Sequence, residues 1–204
     1  DGEIGHLRER VVLPDPRQVQ RTPRRKGAPG DMAFGGEMVP PMLEFGDGAF
    51  VHVTGSTHLE NGMRDVQTQE VHDRLVRRQV AKIERAREEI AMVDLDSEEG
   101  ARVGVLAYGA TARPARGAVL RARGEGHRVS FCRPVTIWPF PISKIQEACR
   151  GLRQVLVPEM NLGQLAREVE RFVDCEVVPL SKIGGVVHSS QEIHAAIVEA
   201  VAAC

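Results

Sequence analysis

The chain has 204 residues, 42 % hydrophobic and 27 % charged, enough for one ordinary domain of roughly 100–200 residues plus a substantial extra segment. Aromatics make up only 4 %, so a core must be built mainly from Val, Leu, Ile and Ala. With 27 basic against 28 acidic residues the formal charge is −1, which argues against the cation excess that a sequence-independent grip on nucleic acid requires.

Residues 1–48 read as an extended arm. Six of the 12 prolines lie there (Pro14, Pro16, Pro23, Pro29, Pro40, Pro41), and a residue type that lacks a backbone donor and fixes φ at this density precludes a long helix or a central strand. Met32, Phe34, Met38, Met42 and Phe45 need a surface to bury against, which suits a connector or a subunit-embracing strap. The basic run Arg21, Arg24, Arg25, Lys26 is read as part of a solvated linker. The opening Asp1-Gly2-Glu3, without an initiating Met, leads to the expectation of a fragment or one piece of a larger subunit.

Residues 49–99 read as a hairpin and a connecting helix. Phe50-Val51-His52-Val53-Thr54 is rich in strand formers and Asn61-Gly62 suits a turn. A helix is expected from Gln69 to Met92. Val76, Val80, Ile83 and Ile90 form one buried stripe, and Arg74, Arg77, Arg78, Lys82, Arg85 and Glu88 form a solvated face.

Residues 100–204 alternate strands with helices. Strand-like runs at Arg102–Tyr108, Arg128–Cys132, Gln154–Pro158 and Glu176–Leu180 flank helical stripes. One stripe is Ile142, Ile145, Cys149, Leu152; another is Leu165, Val169, Phe172, Val173; the last is Ile193, Ala196, Ile197, Ala200, Val201. Ser189 three residues before Glu192 writes a capping box for the final helix. The pattern predicts a three-layer α/β domain with a mostly parallel sheet.

Three strings invite a functional reading. Gly109-Ala110-Thr111 follows a strand and opens a helix, where backbone N–H groups can meet a small anion; equally, Thr111 is an N-cap and Gly109 a tight turn, with Pro114 fitting the first helical turn. Trp138-Pro139-Phe140-Pro141 is a stiffened aromatic loop, either a seal for the sheet end or an interface anchor. Glu159, Asn161 and Gln164 cluster after a strand, at the edge where ligands of α/β proteins gather. Capping and interface roles are favoured there over catalysis.

No self-contained active site is legible. The four cysteines, Cys132, Cys149, Cys175 and Cys204, form no C-x-x-C pair for zinc or an iron–sulfur cluster, and Cys132 and Cys149 read as small core residues. His52, His58 and His72 match no metal-helix spacing. There is no G-x-G-x-x-G, no Walker lysine and no G-x-S-x-G elbow. Without a signal peptide or spanning apolar run, a reducing cytoplasmic setting is expected. No catalytic, cofactor-binding or metal residue is assigned.

Many separate strings, in order, resemble the alpha subunit of 2-oxoacid:ferredoxin oxidoreductases, particularly the 2-oxoglutarate branch. They run from Ile4-Gly5-His6-Leu7-Arg8-Glu9 through Pro40-Pro41-Met42, Phe45-Gly46-Asp47-Gly48, His52-Val53-Thr54-Gly55-Ser56-Thr57-His58 and Glu70-Val71-His72. They continue at Ala107-Tyr108-Gly109-Ala110-Thr111-Ala112-Arg113. The resemblance is strongest at Thr136-Ile137-Trp138-Pro139-Phe140-Pro141, Val157-Pro158-Glu159-Met160-Asn161-Leu162-Gly163-Gln164 and Lys182-Ile183-Gly184-Gly185. The equivalent domain of transketolases fits the architecture but fits the strings around Trp138 and Glu159 less well.

The resemblance implies that residues from about 100 onward are a transketolase C-terminal-like domain. It further implies that residues 1–13 are the tail of a thiamine pyrimidine-binding domain that precedes them in the family, with Gly2 interrupting the usual Asp-Glu pair. It implies oxidative decarboxylation of a 2-oxoacid with coenzyme A, giving an acyl-CoA, carbon dioxide and reduced ferredoxin. Thiamine diphosphate, magnesium and an iron–sulfur cluster are then expected in the full complex, between the missing domain and a beta subunit, and none in this chain. A docking scaffold for the beta subunit is therefore the leading expectation, with no activity from the chain alone and no nucleic-acid or membrane partner. The alternative is a free-standing small-anion-binding or regulatory module derived from such an enzyme, motivated by the turn at Gly109–Thr111.

Overall fold

The computed structural model describes residues 15, 23–34, 38–49, 51–52 and 55–204. The chain divides into two compact units, Asp1–Ala86 and Arg87–Cys204. The family-like string at residues 4–9, the expected tail at 1–13, and Phe50, Val53 and Thr54 of the expected strand lie outside the described residues.

In the first unit, the described part of the arm contains no helix and a single parallel bridge, Arg25↔Leu43. Arg25 N donates to Met42 O at 3.0 Å and Glu44 N to Arg25 O at 2.9 Å. Ala33 and Leu43 are fully buried, whereas Met32 and Phe45 stay exposed; Arg24 lies over the Phe45 ring, 5.6 Å from its centroid. The expected hairpin reduces to one antiparallel bridge, His58↔Arg64, closed by Leu59 N to Met63 O at 2.8 Å. Gly62 turns it with φ +87°, in the left-handed region that a side chain at this place would strain.

The helix expected to reach Met92 instead stops early. Helix α1 spans Gln69–Arg85 and a short α2 spans Arg87–Ile90, with Ala86 (φ −93°, ψ 11°) between them. The predicted buried stripe does not form: Val71 is the buried residue of α1, while Val76 and Val80 are exposed. Apolar spacing marks one side of a helix, but it cannot supply the neighbour that would cover that side.

The second unit carries a five-stranded sheet ordered β1-β3-β2-β4-β5. Its strands are β1 (Val93–Asp96), β2 (Val103–Leu106), β3 (Val129–Pro134), β4 (Gln154–Glu159) and β5 (Glu176–Ser181). The last four are parallel, as the pattern predicts. Strand β1 pairs antiparallel to β3, from Val93↔Pro134 to Asp96↔Phe131. It lies within residues expected only to connect, and its alternating Val-Asp-Leu-Asp suits a half-buried edge. Arg123 fastens that edge, reaching Asp96 Oδ1 at 2.8 Å, Asp96 O at 2.9 Å and Val129 O at 2.9 Å.

Helices cover both faces. Val103, Val105, Ala107, Val129, Phe131 and Leu156 face α3 (Ala112–Gly124) and α6 (Ser190–Ala203). On the other face Leu106, Cys132, Val155 and Val157 meet α4 (Ile142–Cys149) and α5 (Gln164–Glu170). Alternate residues of each strand thus enter opposite cores, which is why the runs are almost continuously apolar. Ile145, Ile193 and Ile197 are fully buried, each stabilising the fold by about 1.5–3 kcal/mol. A Cβ at Gly104 would stand 2.6 Å from Leu152 Cδ1, so any larger residue there requires that side chain to move.

The capping box at α6 is present as read: Glu192 N donates to Ser189 Oγ at 3.1 Å and Ser189 N to Glu192 Oε2 at 2.7 Å. Lys182 Nζ adds contacts of 2.8 Å to both Glu192 oxygens. The Lys182 ammonium first, then the Ser189 amide and hydroxyl, hold the Glu192 carboxyl at about 2, below its ordinary 4.5. An unfolded chain therefore binds a proton in this window that the folded chain does not, so the contribution is present above the ordinary value and lost as pH falls toward about 2. Urea unfolding at a series of pH values should show stability falling across that window in the native chain, with a shallower slope in Glu192→Gln. Ser189→Ala should cost about 1 kcal/mol at neutral pH.

Candidate functional site at the carboxyl edge of the sheet

The connections after β2 and β4 leave in opposite directions, β2 through α3 to β3 and β4 through α5 to β5. The two strands pair directly, Val103↔Gln154 to Val105↔Leu156. The crevice beyond their carboxyl ends is therefore the topological switch point, where α/β sheets place ligands. Two of the sequence candidates, Gly109–Thr111 and Glu159–Gln164, meet there.

Glu159 ends β4 and is fully buried. Its carboxylate accepts N–H groups of Leu165 at 2.8 Å and Ala166 at 2.9 Å, satisfying orphan donors in the first turn of α5. Asn161 Oδ1 accepts from Gly163 N at 2.9 Å and Gln164 N at 2.8 Å, so the capping reading of Asn161 describes its geometry. Gly163, at φ +84°, makes the left-handed turn between them. Glu159 was expected to face a partner; its side chain instead points into the interior because the helix start consumes both oxygens. Gln164 is exposed and Asn161 half-buried.

Tyr108, which the sequence reading did not single out, joins the two strings. Burial first and the nearby Glu159 charge second push its phenol pKa above the ordinary value of 10, with the neighbouring Asn161 side chain opposing. An aromatic with a polar tip at a strand end was the available signal.

Gly109–Thr111 forms a single 3-10 turn with Gly109 at φ +55°. Thr111 is buried, and its hydroxyl donates back to Tyr108 O at 2.8 Å rather than capping α3. The hydroxyl is committed, and the buried Glu159 carboxylate acts on the adjacent Tyr108.

The aromatic loop separates into two parts. Pro139, Phe140 and Pro141 are buried, with Phe140 stacked on Phe172 at 5.7 Å between centroids. These three, expected at an interface, seal the lower core instead, because Phe140 is the large group that closes the α4–α5 side. Trp138, after a cis bond to Pro139, is 57 % exposed.

Around the crevice the edge is apolar. Ile137 and Trp138 follow β3, Met160 and Leu162 follow β4, and Ile183 and Val186 follow β5; all six are exposed. Among the described residues no three His, Cys, Asp or Glu side chains gather as a metal-holding group, and no helix is long and apolar enough to cross a membrane.

Residues 101–193 match the family described as pyruvate:ferredoxin oxidoreductase core domain II. Beyond that domain, 95 % of the chain is 40 % identical to 2-oxoglutarate synthase subunit KorA of Methanothermobacter marburgensis, covering 53 % of that protein. A second KorA, of Methanocaldococcus jannaschii, is 37 % identical over 97 % of the chain and 54 % of its own length. The fold matches a 2-oxoglutarate:ferredoxin oxidoreductase from Magnetococcus marinus, solved with 2-oxoglutarate, coenzyme A and succinyl-CoA bound. That match has a TM-score of 0.72 at 23 % identity and covers 94 % of this chain and 34 % of that one.

Over nearly its whole length the chain is thus similar to 2-oxoglutarate synthase KorA subunits, and its residues 101–193 match the pyruvate:ferredoxin oxidoreductase core domain II. It spans about half the length of the curated relatives it matches, which are named 2-oxoglutarate synthase subunit KorA.

Removal of the Glu159 carboxylate leaves two buried N–H groups unpaired. Glu159→Ala should cost about 3 kcal/mol, Asn161→Ala about 1 kcal/mol, and Glu159→Gln an intermediate amount, measured by urea unfolding at neutral pH.

Proposed function

We propose that this chain is the docking part of the alpha subunit of a 2-oxoacid:ferredoxin oxidoreductase. It contributes the apolar rim of the sheet's carboxyl edge to the beta subunit, while the chemistry proceeds in companion polypeptide. The whole assembly, on this reading, oxidatively decarboxylates 2-oxoglutarate or a similar 2-oxoacid with coenzyme A, giving acyl-CoA, carbon dioxide and reduced ferredoxin. The name shared by the KorA relatives, 2-oxoglutarate synthase subunit, supports both the reaction class and the need for partner subunits.

The observation that carries the reading is the contrast within one edge. The crevice lies where α/β proteins bind ligands, yet the Glu159 carboxylate at its base is buried and spent on backbone amides. Around it stand six exposed apolar side chains, Trp138 among them. Large apolar groups left at a surface mark contact sites, and Trp is enriched among the residues that dominate such contacts.

Thiamine diphosphate and its magnesium need an oxygen-rich donor set, and an iron–sulfur cluster needs several thiolates. Among the described residues no three His, Cys, Asp or Glu side chains gather as a metal-holding group. Within this proposal the groups are held by the rest of the complex.

Coexpression with a beta subunit tests the reading. The complex should reduce ferredoxin or methyl viologen when 2-oxoglutarate and coenzyme A are added. Trp138→Ala combined with Leu162→Ser should lower recovery of the complex by tenfold or more while leaving the chain's own unfolding midpoint within about 1 kcal/mol of native. Undiminished assembly in that variant would remove the docking role.

A further inference from the structure

Two of the four cysteines meet at the opposite, amino edge of the sheet. Cys149 is the last residue of α4, and Cys175 stands directly before β5. Strands β4 and β5 pair from Gln154↔Glu176 onward, and Glu176 N donates to Arg153 O at 2.9 Å. Loops 150–153 and 171–175 therefore enter the sheet side by side. Gln146 Nε2, on α4, donates to Phe172 O at 3.1 Å, fastening the helix to the second loop. Within this frame the Cys149 and Cys175 thiols, both free, face one another closely enough to interact. Cys149 is 6 % exposed, packed in the α4–α5 core, and Cys175 packs against that core while remaining partly exposed. Both line an open cleft with Gln146, Arg150, Phe172 and Asp174.

We infer that Cys149 and Cys175 form a reversible dithiol site that closes to a disulfide when a small peroxide enters this cleft. The two sulfurs are unequal in access: Cys149 is buried, whereas Cys175 is partly open to the cleft. Cys175 is therefore the sulfur that an entering peroxide meets, and it reacts as the thiolate, the nucleophilic form.

In the first step the Cys175 thiolate attacks one peroxide oxygen. The O–O bond breaks, Cys175 becomes a sulfenic acid, and hydroxide leaves. In the second, Cys149 loses its proton and attacks the sulfenic sulfur; the S–S bond forms, the S–O bond breaks, and water leaves. Overall two thiols are oxidised by two electrons and hydrogen peroxide is reduced to two waters. Cys132, the third thiol on this side, is held protonated by burial and the Asp94 charge, its pKa pushed up to about 12. The new bond would tie the end of α4 to the start of β5.

Peptide mapping of the full chain without reductant, after graded hydrogen peroxide, tests the site. A linked Cys149–Cys175 peptide should accumulate before Cys132 is modified and should vanish on adding dithiothreitol. In Cys149→Ser, Cys175 should instead be captured by dimedone as the sulfenic acid. Two outcomes would overturn the proposal: both thiols still alkylatable at doses that oxidise the exposed Cys204, or Cys175 oxidised in the native chain without linkage to Cys149. Mapping of the unsubstituted chain decides the matter even if Cys149→Ser fails to fold.

Discussion

A carboxylate taken into the interior must find donors, and in this protein the donors are the first turn of a helix. Glu159 ends β4, and its two oxygens hold the amides of Leu165 and Ala166. The arrangement joins the carboxyl end of a central parallel strand to the start of α5, and with Asn161 it sets the path of the intervening turn. Tyr108, just after the neighbouring strand, feels the charge of the same Glu159. The switch-point crevice is consequently walled by groups that are already engaged with one another. Exposed apolar side chains stand around that crevice.

That division of labour suits an alpha-subunit fragment. The same edge that would carry catalytic side chains in a self-sufficient α/β enzyme here displays Ile137, Trp138, Leu162 and Ile183 to solvent. Fold by itself does not decide function; the proposed contact role rests on the commitment of Glu159 and Thr111 to the backbone and on the exposed rim. The amino edge differs in kind, with two thiols in a cleft lined also by Arg150 and Asp174.

The parallel sheet was legible because both faces are covered, which leaves near-continuous apolar runs at Val103–Leu106, Val129–Cys132 and Val155–Val157. The α6 cap was legible because Ser189 and Glu192 lie three residues apart and satisfy each other locally. What escaped the sequence reading was long-range. The stripe at Val76 and Val80 has helical spacing, yet nothing in spacing says whether a neighbour arrives to cover it. Glu159 reads as a polar residue after a strand, and only the fold brings α5's amides to it. The Cys149–Cys175 contact depends on two loops entering the sheet together, which their separation along the chain conceals. A carboxyl group placed directly after an unbroken apolar run, as in Val155–Pro158 followed by Glu159, was the one local hint of burial.

The central claim is that the carboxyl edge of the sheet is a contact surface. Hydrogen–deuterium exchange of the chain, alone and in complex with a beta subunit, measures this directly. The account predicts slowed exchange at residues 135–138, 160–162 and 183–186, with segments 150–153 and 171–175 at the amino edge unchanged. Slowed exchange confined to the amino edge, or a carboxyl edge that exchanges identically in both states, would contradict it.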